Sequence, residues 1–324
     1  MRVSDILPSV TVLVPTRPDQ ADIPAVTAAR RFDYPPDLLE LLVARGKQPS
    51  VQRNAGMTAA RGELIYFLDD DSVAAPDNLR RAIEHFRNPQ VKIVGGPNLC
   101  PPDAPFIEQV FALVLSSWLG FLSSRARYTP VGKVRESGEK ELILCNLLAR
   151  RGDMLELGGF NEALYPNEEN ALMDELQKRG GKLIYDPQLV VHRRPRPNLI
   201  SFCRMLMTYG RGRAEQFRVL PTIGSAPNFV PPLFCVYLAT FWLFGWLGAV
   251  PLALYVLLVL LQTAALVPRG GLLRSLCAMP LLVFPHVFYG IGFWRGLFTK
   301  LNTAATRAAT PVELERVKSG GGPR

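Results

Sequence analysis

From Phe229 to Val267 the chain runs for 39 residues without one charged side chain. A helix needs about 20 apolar residues to cross the hydrocarbon core of a bilayer, and this stretch is nearly twice that. Gly245, Gly248 and Pro251 divide it into "NFVPPLFCVYLATFWLFGW" and "AVPLALYVLLVLLQTAALV". The division predicts two spanning helices over about 229–247 and 249–267, joined by a tight uncharged turn. A third apolar segment, about 272–298, contains Pro280, Pro285 and His286 and is expected to be kinked, re-entrant or spanning. Arg211, Arg213 and Arg218 precede the first span, and Arg269 and Arg274 follow the second. The positive-inside rule therefore puts both flanks in the cytoplasm. A full third crossing would leave Arg295, Lys300 and Arg307 outside, so that segment is expected to return. The predicted location is the cell inner (plasma) membrane, multi-pass, with the rest of the chain cytoplasmic.

Ahead of this region the hydropathy is ordinary, and 324 residues suffice for one large or two modest domains with a real core. "SVTVLVPT" reads as a buried strand, "DIPAVTAARRF" as a helix and "LLELLVARG" as a second strand. "SVQRNAGMTAARG" is helical with Ser50 as N-cap, "ELIYFLDDDS" is a third strand, and "VKIVGGP" follows the helix "PDNLRRAIEHFRN" as a fourth. This alternation predicts an α/β domain with a mostly parallel sheet. The stretch 106–124 reads either as a core helix or as one lying in a membrane interface. The organisation expected is a domain over 1–215, a membrane region over 216–302 and a disordered tail over 303–324. The five cysteines lie far apart without a CxxC pair, which argues for reduced packing residues. The formal charge of +9 suits an anionic membrane surface or a phosphorylated substrate. The basic residues gather near the apolar segments rather than along one helix, which argues against nucleic acid. "HRRPRP" reads equally as a membrane-surface patch or a substrate contact.

The third predicted strand ends on Asp69, Asp70 and Asp71, three like charges that repel one another unless a cation sits among them. Asp69 and Asp71 stand at i and i+2, so in extended chain they face one way and Asp70 the other. In α/β sheets ligands gather outside the carboxyl ends of strands. Mg²⁺ or Mn²⁺ takes hard oxygen ligands and fills its remaining positions with water and substrate phosphates. Glu168 and Glu169 open a predicted amphipathic helix, where acids also complement the macrodipole.

Four motifs, "VTVLVPTR", "PSVQRNAGMTAARGELIYFLDDDS", "CNLLARRGDMLELGGFNE" and "PNEENALMDELQKRGGKLIYDPQLVVHRRPR", together resemble the processive-type inverting glycosyltransferases of family 2, with a GT-A fold. The resemblance covers about residues 9–215, and the apolar C-terminus and "YGRGR" look most like the succinoglycan-synthesis and lipid-linked sugar transferase branch. It implies Asp71 and Asp69 as metal ligands for Mg²⁺ or Mn²⁺, and Pro15, Arg53, Asn54, Asp69 and Asp70 as nucleotide-sugar positions. It also places Asn146, Gly158 and Gly159 beside the donor sugar and acceptor, and Arg211 and Arg213 over the diphosphate. Glu169, preceded by Glu168, takes the position of the family's catalytic base.

The expected activity is inverting transfer of a sugar from a nucleotide donor, UDP- or GDP-linked, to a lipid-linked or polysaccharide acceptor at the cytoplasmic membrane face, among membrane lipid. "LLVARGKQPS" lacks the acidic, Ser-rich turn that the family commonly carries after its second strand, so the nucleotide base is left open. Alternatives are a polyprenyl-phosphate sugar synthase and a catalytically silent membrane scaffold with this fold.

Overall fold

The computed structural model describes residues 7–164, 167–219, 221, 223–301 and 311–318. The chain begins β1 (Val10–Thr16), α1 (Pro24–Ala29), β2 (Leu39–Arg45), α2 (Pro49–Ala59), β3 (Leu64–Leu68), β4 (Val73–Ala74), α3 (Asn78–His85), β5 (Val91–Gly95) and β6 (Asn98–Leu99). Next come α4 (Phe106–Leu115), α5 (Trp118–Phe121), β7 (Arg135–Ser137), β8 (Asn146–Arg150), α6 (Arg151–Glu156), α7 (Glu168–Lys178), β9 (Lys182–Tyr185) and β10 (Val191–His192). It continues with α8 (Leu199–Val219), α9 (Val230–Thr240), α10 (Gly245–Leu281), α11 (Phe284–Phe298) and β11 (Glu313–Val317).

Two compact units result. The sheet unit comprises the described residues of Met1–Leu99, Thr129–Arg193 and Asn302–Arg324. Its main sheet runs β11-β2-β1-β3-β8-β5-β9-β7, and a small one runs β4-β10-β6. Every residue of β1 and β3 is buried, as continuous apolar runs covered on both faces must be. The trio β2, β1, β3 and the pair β5, β9 are parallel, but β8 lies antiparallel between β3 and β5. The sheet is thus mixed rather than mostly parallel. Local sequence marks β8 as a strand and carries no sign of its direction.

Two further expectations change here. Ser50 does not cap α2: the helix starts at Pro49, with Gln48 before it and Ser50 inside. Proline favours the first helical position because its missing N–H has no partner there anyway. The tail expected to be disordered contains β11, which pairs antiparallel with β2 from Glu313↔Arg45 to Val317↔Leu41. Arg316 reaches Glu40 at 2.9 Å and Arg45 reaches Glu315 at 3.0 Å, fixing the register from both sides. The rest of that tail lies outside the described residues, apart from 311–312 and Lys318.

The other unit comprises Cys100–Tyr128 and Arg194–Leu301 and is helical. The expected boundary at 215 is therefore replaced: 100–128 and 194–215 belong with the apolar helices. The 106–124 stretch is bent by 59° between α4 and the following helical turns. Of its two readings, α4 takes the core one, burying Val110, Phe111 and Val114 against Phe202, Leu206 and Leu266. Phe111 stacks on Phe202 with ring centroids 4.4 Å apart. Glycines bring α8 and α11 together: a Cβ on Gly210 would lie 2.0 Å from the Tyr289 carbonyl, and one on Gly292 2.1 Å from that of Met207.

The apolar region differs from the two-span expectation. α9 has 11 residues, about 17 Å of rise, well short of a bilayer core. A positive φ at Gly245 starts α10, which runs through Pro251 to Leu281 with a break at Gly271. Before that break it rises about 39 Å. Among the described residues one helical stretch, Ser225–Phe298, is long and apolar enough to cross a membrane, so multi-pass topology is not supported.

The loop entering β10 crosses β5 tightly. A Cβ on Gly96 would lie 2.1 Å from the Leu189 carbonyl oxygen and 2.6 Å from that of Asp186. Backbone cannot yield as a side-chain tip can, so Gly96→Ala is expected to destabilise the chain by about 3 kcal/mol, read as a lower urea midpoint with an unchanged slope.

Candidate active site

The three aspartates follow β3 in a turn closed by the Ser72 N–H donating to the Asp69 carbonyl at 3.0 Å. Their carboxylates part company. The Thr16 hydroxyl donates to Asp70 Oδ2 at 3.0 Å, tying that residue to the end of β1. Asp69 and Asp71 instead converge on the Arg193 guanidinium, Nη1 at 3.1 Å from Asp69 Oδ2 and Nε at 2.6 Å from Asp71 Oδ1. Burial works against the Arg193 charge, yet Asp69 and Asp71 hold its pKa well above the ordinary arginine value. Burial also raises the Asp71 carboxyl, a shift that Arg193 opposes and that Asp69 and Asp70 reinforce.

A second guanidinium closes the other side. Arg53, on α2, donates through Nη2 to Asp69 Oδ1 at 2.8 Å and through Nη1 to Glu168 Oε1 at 3.3 Å. The Ser50 hydroxyl, one turn earlier on α2, also donates to Glu168 Oε1, at 3.2 Å. Glu168 is 1% exposed, and its Oε2 is buried with no hydrogen-bond partner. Burial pushes its carboxyl above the ordinary value, with Arg53 pulling the other way. Glu169, the next residue of α7, is half-buried.

Other expected site residues are placed differently. Asn146 is fully buried: Tyr66 donates to its Oδ1 at 2.7 Å, and its Nδ2 donates to the Leu189 and Pro97 carbonyls. With both ends of its amide committed, it holds the loop before β10. Asn54 donates to the Phe160 carbonyl and Glu162 and accepts from the Phe160 N–H, each at 2.9 Å. It thereby clasps the turn at Gly158 and Gly159, which have φ of 80° and 78°. Pro15 is buried in β1 opposite Ala44. Arg211 and Arg213 lie on α8 of the helical unit, where Arg211 stands 3.5 Å from Glu215 and Arg213 donates to Gln216 at 3.2 Å. Arg193 and the Ser50 hydroxyl are the members that reading the sequence missed. Arg193 arrives because β10 pairs with β4 two residues past Asp71, a long-range pairing with no local signature.

Two carboxylates meeting on one guanidinium show that their oxygens share a single cation position, and hard oxygens are what Mg²⁺ or Mn²⁺ takes. Among the described residues no three His, Cys, Asp or Glu side chains group to hold a metal. Asp69 and Asp71 offer two carboxylates, a number that Mg²⁺ or Mn²⁺ commonly supplements with water and substrate oxygens.

A sheet with acidic residues converging on one cation at a strand's carboxyl edge, beside an acidic helix start, is the layout of a GT-A glycosyltransferase domain. Residues 28–111 match the family model described as Glycosyl transferase family 2. It is similar to the pre-mycofactocin glycosyltransferase of Mycobacterium tuberculosis (strain ATCC 25618 / H37Rv), 27% identical over 56% of this chain and 37% of the relative. The succinoglycan biosynthesis protein ExoA of Rhizobium meliloti (strain 1021) is 27% identical over 59% of this chain and 56% of its own length. The chain thus spans 37% and 56% of the lengths of these curated relatives. A mannosyltransferase from Pyrobaculum calidifontis, solved with GDP-Man and Mn²⁺, shares the fold with a TM-score of 0.54 and 18% identity, over 91% of this chain and 88% of that one.

Arg53→Met leaves Glu168 buried without its counter-charge and is expected to cost about 3–5 kcal/mol in urea unfolding at neutral pH. Adding Glu168→Gln should recover more than half. Because the folded-state pKa of Glu168 lies above its ordinary value of 4.5, the folded chain holds that proton more readily than the unfolded chain. Arg53 pulls that pKa down, so its removal raises it further, and the single-variant deficit shrinks as pH falls toward that value and grows as pH rises above it.

Proposed function

We propose that this chain transfers a sugar, with inversion, from a UDP- or GDP-sugar to a lipid-linked or polysaccharide acceptor at a membrane. The observation that carries the reading is the convergence of Asp69 and Asp71 on one cation position at the end of β3. When bound there, Mg²⁺ or Mn²⁺ supplies charge to the leaving diphosphate. The family 2 match and the ExoA relative support the polysaccharide setting.

Two adjacent glutamates compete for the role of base, and their surroundings separate them. A base must reach the acceptor hydroxyl. Glu168 is 1% exposed with one oxygen held by Arg53 and Ser50, so it works as the anchor that fixes Arg53 and, through it, Asp69. Glu169 keeps an accessible face at the start of α7 and is the proposed base. Its carboxylate takes the acceptor hydroxyl proton while that oxygen bonds to the anomeric carbon. The bond from that carbon to the diphosphate oxygen breaks on the opposite side, and the nucleoside diphosphate leaves with the electron pair. One displacement inverts the configuration with no covalent intermediate.

Membrane attachment is assigned to α10, whose Trp246, Leu247, Leu254, Leu257, Leu260 and Leu261 are all exposed. Arginine at the centre of a spanning helix costs about 2.5–3.5 kcal/mol. Leu257→Arg with Leu261→Arg should therefore release protein from alkaline-washed membranes that retain the wild type.

Glu169→Gln should lower transfer by about 10²–10⁴-fold while nucleotide affinity stays within twofold in calorimetry. Asp71→Asn should weaken Mn²⁺-dependent nucleotide binding instead. Full transfer by the glutamine variant would sink the assignment of the base.

A further inference from the structure

The cation position between Asp69 and Asp71 is already filled by a side chain of the protein. The two arginines of the site are held differently. Arg53 is locked: its side chain is 8% exposed, and its two ends are held by Asp69 and Glu168 from separate elements. Arg193 is 25% exposed and holds the two aspartates that a metal would use, with Cys145 beside it. Its main chain is pinned by β10, with its N–H donating to the Leu99 carbonyl at 2.9 Å, so the side chain can move while its root stays.

We propose that Arg193 is a resident counter-cation that holds Asp69 and Asp71 in position until a divalent ion arrives with the nucleoside diphosphate, and then yields the carboxylates to it. The inference rests on the functional reading above and assigns a positioning role that the reading does not contain. Without Arg193, Asp69 and Asp71 would lose the positive charge they share, beside a third carboxylate at 70. With Arg193 in place, a free divalent ion must compete with a positive charge for the same oxygens. A diphosphate resolves the competition by bringing negative charge for the ion and for the displaced guanidinium alike. Metal and nucleotide then bind as a coupled pair, each strengthening the other by the same factor.

The test is Mn²⁺ binding to the full chain in detergent, by calorimetry and by the electron-spin signal of free Mn²⁺, with and without GDP or UDP. Wild type should bind Mn²⁺ weakly alone and more tightly with nucleotide. Arg193→Gln should bind Mn²⁺ alone at least about tenfold more tightly than wild type, with a smaller gain from nucleotide, and its lower metal-free melting temperature should be restored by Mn²⁺. Arg193→Lys keeps the charge without the two-pronged fork; its Mn²⁺ affinity should fall between, and it is the variant to read if the glutamine variant does not fold. Equal Mn²⁺ affinity of variant and wild type, with nucleotide-dependent Mn²⁺ binding intact in both, overturns the counter-cation role and leaves the functional reading standing. No Mn²⁺ binding by any form, even with nucleotide, overturns both.

Discussion

Charge balance around the end of β3 governs how the sheet unit is built. Asp69, Asp71 and Glu168 are drawn together by Arg53 and Arg193, and each pairing recruits a different part of the chain. Arg53 ties α2 to the start of α7, and Arg193 ties the end of β10 to the aspartate turn. Opposite charges in a partly dry setting attract strongly only when every partner is present, and losing one leaves the rest costly to bury. The site is therefore a shared structural knot as well as a place for chemistry. Segments more than a hundred residues apart in sequence, such as Arg53 and Glu168, are held in register by it.

Much of this is legible in the sequence, and the reasons differ by residue. The runs that became β1 and β3 are short, apolar and β-rich, so periodicity sufficed. Extended-chain alternation would separate Asp70 from its neighbours, but the three lie in a turn, and it is that turn that carries Asp70 to Thr16. Local pattern is silent on what depends on distant pairing. Asn146 is a site position by resemblance alone, and its partners Leu189 and Pro97 lie more than forty residues away. Arg193 sits in a basic cluster that reads equally as a membrane patch or a substrate contact, and the β10–β4 pairing turns it toward the acids. Ser50 looks like a helix cap until its hydroxyl is seen donating to Glu168.

The helical unit makes a related point about hydrophobicity. The charge-free stretch is plain in the sequence, but composition does not say where a helix breaks. Gly245 and Gly271 do that, with φ of 55° and 74°, leaving α9 short and α10 long. Elsewhere in the unit the glycines act by absence of a side chain, letting the backbones of α8 and α11 approach where any Cβ would collide.

The place of β11 in the chain has a consequence for how the molecule is made. The strand lies downstream of every apolar helix, yet it completes the edge of the sheet beside β2, whose partner β1 was synthesised first. Until residues 313–317 leave the ribosome, β2 presents a row of unpaired N–H and C=O groups, the kind of edge that invites association with another chain. The apolar helices must therefore emerge and find their surroundings while that edge is still open. The final pairing step works as a seal on a domain that is otherwise already built.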